Sequence, residues 1–323
     1  MSTLTIRDAL HDAIHEEMER DESVFVIGED VVAHGGPYTV TEGIAERFPD
    51  RIFETPIAEA GIVGVGVGAA MAGMRPVVEI MYLDFITCAM DEVVNQAAKM
   101  RYMTGGQASV PLVIRLPCGL GRYIAAQHSQ IMESWFMHVP GLQVVVPSTP
   151  KDAKGLLKTA VRSPDPVLFF EYKRIYTAEG EVPDEEYLIP FGEAETKREG
   201  EDVTVVAVGP MVGKALKAGV ILEDDGYDIE VVDPRTLSPL DTETIRASVG
   251  KTGRAVICEE DSSFAGTGAE IAAMIAENCF KDLQAPVVRV GMPHVPMPFA
   301  PPLADSVVPQ VDSVVDAVRR VMA

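Results

Sequence analysis

The chain has 323 residues, of which 47% are hydrophobic and 24% charged, a composition that excludes a disordered protein and suggests about two domains. Its 27 Lys and Arg stand against 49 Asp and Glu, a net charge of −22. That balance excludes a nucleic-acid phosphate binder and a polybasic membrane anchor.

In chain order, Ile6, Leu10, Ala13, Ile14 and Met18 recur at helical spacing. VFVIG (24–28) reads as a buried strand, and a Gly- and Pro-bearing loop follows around HGGPY (34–38). Residues 59–73 read as a helix despite their glycines, and PVVEIM (76–81) as the next strand. Residues 84–106 form the longest helical pattern, closed by Gly-Gly. VPLVIRLP, LQVVVP and PVLFFE read as strands, with a helix from Pro150 to Arg162 starting after Thr149. The acidic stretch from Lys173 to Asp202 has little periodicity and reads as a partly structured connection. From Val203 onward, Val- and Ile-rich strands again alternate with helices. Both halves therefore read as doubly wound α/β domains with parallel sheets, whose ligands belong outside the carboxyl ends of the strands.

The four cysteines, Cys88, Cys118, Cys258 and Cys279, are scattered without metal spacing, which reads as a reduced, cytoplasmic protein. The N-terminal MSTLTIRDALHDAIHEEMERD is not a signal peptide, and the apolar run 61–74 is too short to span a bilayer.

Chemistry concentrates in three places. Glu59 follows a Pro in apolar company. It is either a first-turn acid favoured by the helix dipole or a desolvated acid poised to exchange a proton. The glycines around it permit close helix packing and do not match a dinucleotide fingerprint. His128 lies in a long loop, GLGRYIAAQHSQ, as either a structural histidine or a functional one, with Gln127, Ser129 and Gln130 able to orient its ring. Met81, Tyr82 and Phe85 follow a strand and are either core or the wall of a pocket for a flat ring.

These segments, GED (28–30), ETPIAEAGIVGVGVGAAMAGMRPVVEIM (54–81), DEVVNQAAKMRYMTGGQ (91–107), AAQHSQ (125–130), PGLQVVVPSTPKDAKGLL (140–157), PVLFFE (166–171), DPRTLSPLD (233–241) and GTGAEIAA (266–273), run in order along nearly the whole chain. Together they resemble the beta subunit of thiamine-diphosphate-dependent 2-oxoacid dehydrogenase components. The resemblance implies a pyrimidine-type thiamine-diphosphate-binding domain over 1–185, a connection over 186–200 and a transketolase C-terminal-like domain over 201–323. It implies two alpha and two beta chains, with the alpha chain holding the diphosphate and Mg²⁺, since this sequence has no GDG motif. It implies that Glu59 shares a proton with the aminopyrimidine and that Glu29 stands near it. Met81 and Phe85 would pack on the ring, and His128 would handle the substrate carboxylate or acyl transfer to lipoamide. Some members hold a monovalent cation, K⁺, in the region of Ala160, Ser163 and Asp165, where Ser163 replaces a common Asp. The expected reaction is oxidative decarboxylation of pyruvate with acyl transfer to a lipoyl acyltransferase core. Branched-chain 2-oxoacids and acetoin are alternative substrates, and a non-catalytic structural partner is the alternative class. The loop before His128 departs from the family's Gly-rich form at Cys118, Leu120 and Tyr123.

Overall fold

The computed structural model describes residues 1–323. Contacts divide the chain into two compact units. The first comprises Met1–Cys118 and Trp135–Phe191, the second Gly119–Ser134 and Gly192–Ala323. The loop bearing His128 thus belongs by its contacts to the second unit, although it interrupts the first in sequence.

In the first unit the elements run β1 (Ser2–Thr5), α1 (Ile6–Arg20), β2 (Val24–Gly28), α2 (Ile44–Arg47), β3 (Ile52–Glu54), α3 (Glu59–Met71), β4 (Arg75–Glu79), α4 (Met100–Met103), β5 (Val113–Cys118), α5 (Glu133–Met137, which begins in the second unit), β6 (Gln143–Val145), α6 (Pro150–Arg162), β7 (Val167–Tyr172) and β8 (Glu179–Val182). Six strands pair in parallel in the order β6-β7-β5-β4-β2-β3. Parallel strands buried on both faces need continuous apolar runs, and these strands supply them. Val24, Val26, Val77, Val113, Val167 and Phe169 pack with Leu10, Ile14 and Met18 of α1 and Leu156 and Leu157 of α6 in one core. Thr149 caps α6, its Oγ1 accepting from the Asp152 N–H at 3.1 Å, so that helix starts where Thr-Pro predicts. β1 and β8 form a separate antiparallel ribbon.

The long helical pattern over 84–106 is not one α-helix. It winds as a 3-10 helix (Leu83–Ala89), a π-helix (Glu92–Ala97) and the short α4. The apolar spacing survives because all three windings turn the chain in the same sense, while the hydrogen-bond register changes.

The second unit contains β9 (Glu195–Arg198), β10 (Val203–Ala207), α7 (Met211–Asp224), β11 (Ile229–Asp233), β12 (Thr236–Ser238), α8 (Thr242–Thr252), β13 (Ala255–Ser262), α9 (Thr267–Asn278), β14 (Val288–Met292), α10 (Pro301–Val307) and α11 (Val311–Met322). Its sheet runs β14-β13-β10-β11-β9, parallel except for the edge strand β9. Alternate residues face opposite layers. Val203, Val205 and Cys258 pack with α7 and α11, whereas Val206 and Ile257 pack with α8 and α9. No helix is long and apolar enough to cross a membrane.

Candidate active site

In the first unit, β4, β2 and β3 are neighbours, so whatever follows their carboxyl ends converges on one edge of the sheet. Glu29 follows β2 directly, Met81 lies two residues beyond β4, and Glu59 opens α3 after β3. Glu29 is 7% exposed. Burial pushes its carboxyl above the ordinary range, and the negative charges of Glu59 and Asp30 add to the rise.

Glu59 itself is half-buried. It is the first residue of α3, whose cap residue Ala58 offers no side-chain acceptor. A carboxylate in this first turn is favoured by the positive end of the helix dipole, worth a few tenths of a kcal/mol to about 1. The first-turn position is found, and the full desolvation is not, because Ile57 and Ala58 before it are exposed within this chain. The glycines of α3 also act more narrowly than their number suggests. At Gly66 a Cβ would lie 2.7 Å from Val78 Cγ2, so α3 can rest on β4 only with glycine there, whereas Gly68 has nothing within 4 Å.

Met81, Tyr82 and Phe85 are each half-buried beyond β4. Tyr82 stands edge-on to Tyr38 at 6.2 Å between centroids, and the Lys173 ammonium lies 4.7 Å from its ring centre. Tyr38 in turn stacks on Tyr176 at 4.6 Å. The loop from Glu29 to Tyr38 is drawn close to β4. Gly36 N–H donates to Asp30 O at 2.9 Å, and a Cβ on Gly36 would lie 2.5 Å from Glu79 Oε1.

Beneath this edge is a charged chain that sequence reading missed. Arg115 of β5 is fully buried and makes a two-pronged pair with Glu171 of β7, at 2.7 and 2.8 Å, while its third nitrogen binds Glu79 of β4. Tyr176 donates to Glu171 at 2.6 Å. Burial opposes the charge on Arg115, but the two carboxylates outweigh it and raise its basicity. Burial likewise pushes Glu79 up, partly offset by Arg115. The only sequence signal was a charged residue in the middle of each of three apolar strands.

In the second unit, His128 ends a single 3-10 turn, Ala126–His128, and is half-buried. Ser129 is 1% exposed and its hydroxyl has no partner, so it does not orient the imidazole. Tyr123 Oη donates to Asp305 Oδ2 of α10 at 2.9 Å. At the end of β13, Glu259 and Asp261 are buried. Burial raises Glu259 to about 7, against a hydrogen bond from Gly268 N–H at 2.7 Å, and raises Asp261 to about 6. Neither was a sequence candidate.

The region expected to hold a monovalent cation does not present an open cage. Arg75 Nη1 donates to Val161 O and Ser163 O at 2.8 and 3.2 Å. Ser163 N–H donates to Ala160 O at 3.1 Å, and the Asp165 carboxylate pairs with Arg101 at 2.6 Å. The candidate oxygens already carry donors, and the residues present do not fit such an ion. Nor do three or more His, Cys, Asp or Glu residues converge anywhere as a metal cage. The cofactor fits better. Two acids after β2 and β3, with Met81 and Phe85 after the neighbouring β4, suit an aminopyrimidine that is both basic and flat.

Residues 2–178 match the transketolase pyrimidine-binding domain, and residues 192–314 the transketolase C-terminal domain. The chain is 46% identical to the beta subunit of an acetoin:2,6-dichlorophenolindophenol oxidoreductase from Cupriavidus necator, over 99% of this chain and 97% of that one. It is 47% identical to the 2-oxoisovalerate dehydrogenase subunit beta of Bacillus subtilis, over 99% and 98%. It is also 47% identical to the pyruvate dehydrogenase E1 component subunit beta of Rickettsia felis, over 98% of each. A solved split-gene transketolase, described as an inactive beta4 tetramer, superposes with a TM-score of 0.80 at 27% identity, over 99% of this chain and 98% of that one. The chain belongs to the family of 2-oxoacid and acetoin dehydrogenase beta subunits, oxidoreductase components built from a transketolase pyrimidine-binding domain and a transketolase C-terminal domain.

Proposed function

We propose that this chain, with an alpha subunit, catalyses the oxidative decarboxylation of a 2-oxoacid, pyruvate foremost, and passes the acyl group to a lipoyl acyltransferase. The carrying observation is the acid pair: a buried Glu29 whose carboxyl is raised by burial and by Glu59 at the head of α3. Thiamine diphosphate, when bound, supplies the electron sink that lets a 2-oxoacid lose its carboxylate. Glu59 holds a proton at the aminopyrimidine ring nitrogen. Glu29, a like charge in a poorly solvated place, favours a proton shared at that edge over two bare carboxylates. Met81 and Phe85 flank the ring and exclude water from it. His128 receives the substrate carboxylate or the incoming lipoyl group.

The alpha subunit holds the diphosphate and its Mg²⁺, in an assembly of two alpha and two beta chains. Exposed apolar residues on and beside α3, Ile57 at 79% and Val65 at 53%, support a partner chain there. The four free cysteines fit a reducing compartment, and we assign the cytoplasm.

Glu59→Gln is expected to lower turnover by about 10²–10⁴, the usual worth of an acid–base group. Near-normal rates with saturating cofactor would overturn its role. His128→Ala is expected to weaken transfer to lipoamide more than to an artificial dye. Dye reduction by the alpha–beta mixture, across pyruvate, the branched-chain 2-oxoacids and acetoin, identifies the substrate. Each chain is omitted in turn, and activity from either chain alone removes the heteromeric reading.

A further inference from the structure

The loop that carries His128 is held at three points. Its mouth closes where Gly119 N–H donates to Gln130 O at 3.1 Å. Its far end meets β13 where Ser134 Oγ donates to Asp261 at 3.4 Å. Its middle is tied by Tyr123, whose phenol donates at 2.9 Å to Asp305, 182 residues further along the chain.

The backbone at the middle tie is strained. Tyr123 has φ +54° and Ala125 φ +67°, a region that glycine enters freely and a residue with a Cβ does not. Such strain persists where the surroundings over-determine the conformation. Here the phenol–carboxylate bond does so, and a glycine at position 123 has no side chain to make it. From Tyr123 the chain reaches His128 in five residues, the last three of which form the 3-10 turn closed by His128 N–H to Ala125 O at 3.3 Å. The direction in which the backbone leaves Tyr123 therefore sets the direction of the turn that presents the imidazole.

We infer that Tyr123 and Asp305 form a latch that positions His128, so that α10 governs where the histidine stands during acyl transfer. Both are positioning residues and touch no reacting atom. The inference rests on the role proposed above for His128.

The test uses the assembled alpha–beta complex with thiamine diphosphate bound. Tyr123→Phe keeps the ring and removes the donor, Asp305→Ala removes the acceptor, and Asp305→Asn keeps a carbonyl that still accepts. Amide exchange over 119–134 is expected to quicken about tenfold in Tyr123→Phe and Asp305→Ala, the scale of one lost hydrogen bond to a charged group. The ratio of lipoyl-linked to dye-linked rate is expected to fall in both, with Asp305→Asn nearer the parent. The double variant should lose clearly less than the sum of the two single losses, because the two variants share one bond. Unchanged exchange in Tyr123→Phe, or losses that add in the double variant, would overturn the latch. His128→Ala is run in parallel. If it leaves the acceptor ratio alone while Tyr123→Phe still loosens the loop, the histidine's role fails and the latch stands. If its acceptor ratio shifts while exchange in Tyr123→Phe is normal, the role stands and the latch falls.

Discussion

Both sheets bury acid groups in their strands, and they neutralise them differently. In the first unit, Glu79, Arg115 and Glu171 lie on three adjacent strands and meet one another, with Tyr176 completing the chain. In the second, Glu259 and Asp261 share one strand and have no buried cation set against them at hydrogen-bonding distance. Their main donors are the backbone N–H groups of Gly268 and Ser262. A buried carboxylate needs a counter-charge or a proton. For this set the first sheet supplies an arginine, whereas on β13 burial raises Glu259 to about 7 and Asp261 to about 6, so that protons offset the charge. The difference follows from register. Glu79 pairs directly with Arg115 across β4 and β5, whereas Glu259 and Asp261 lie in the stretch of β13 between Cys258 and Ser262 where its register with β14 shifts.

The largest effect that separates the two solutions is expected at Arg115. Arg115→Met leaves Glu79 and Glu171 buried without their cation, a loss of about 3–5 kcal/mol. Urea unfolding of the chain reads it. Replacing the set together, Glu79→Leu, Arg115→Met, Glu171→Leu and Tyr176→Phe, is expected to recover most of that stability, since a buried ion chain seldom outperforms apolar packing of its own volume. If the fourfold variant is as unstable as the single one, the cost lies in packing and not in charge.

The second sheet predicts a pH dependence of opposite sign to the usual acid. Glu259 titrates near 4.5 when unfolded and near 7 when folded. Between those values the folded chain binds the extra proton, so stability falls as pH rises through the window. Its contribution is complete below about 4.5 and lost above about 7. Glu259→Gln removes the proton but keeps an oxygen for Gly268 N–H. The stability difference between parent and variant should therefore drift toward the variant by about 3 kcal/mol across that window. A difference that stays constant from pH 4.5 to 7.5 would mean the carboxyl is not raised.

These acids show where reading the sequence stops. The parallel strands were legible because a strand covered on both faces must be apolar throughout, and α6 was legible from Thr149-Pro150. The ribbon of β1 and β8 was not, since STLT and EGEV carry no apolar alternation and pair across 174 residues or more. Residues 84–106 showed helical spacing but not the change to 3-10 and π winding, which alters hydrogen bonds and leaves the apolar stripe in place. Glu29, Glu59, Met81 and Phe85 follow β2, β3 and β4, which are neighbours in the sheet, an order that no local pattern states. Glu59 is half-buried, next to Ile57 and Ala58, which are exposed. Tyr123 stood out only as a departure from the family's Gly-rich form, and its partner Asp305 lies 182 residues away in sequence.

The smallest predicted effects again set one unit against the other, at two helix caps. In the first unit a neutral hydroxyl caps α6: Thr149 Oγ1 accepts from Asp152 N–H at 3.1 Å. In the second a carboxylate caps α8: Asp241 accepts from Thr244 N–H at 3.0 Å, from Thr244 Oγ1 at 2.7 Å and from Ala194 N–H at 2.9 Å. Burial pushes the Asp241 carboxyl up, but those donors outweigh it and hold it below its ordinary 3.8. Each cap deleted to alanine should cost about 1 kcal/mol at neutral pH, with Asp241→Ala the larger because its cap is charged and also ties Ala194. The two should part on acidification. A carboxyl held low contributes stability that is full above 3.8 and fades as pH falls below it. The Asp241→Ala deficit should therefore shrink on going from pH 7 toward pH 3, and by more than the Thr149→Ala deficit, since Thr149 accepts from a backbone N–H and has a single bond, at 2.6 Å, to the Asp152 carboxylate. Equal pH dependence of the two deficits would show that Asp241 caps by hydrogen bonding alone, with its charge contributing nothing measurable.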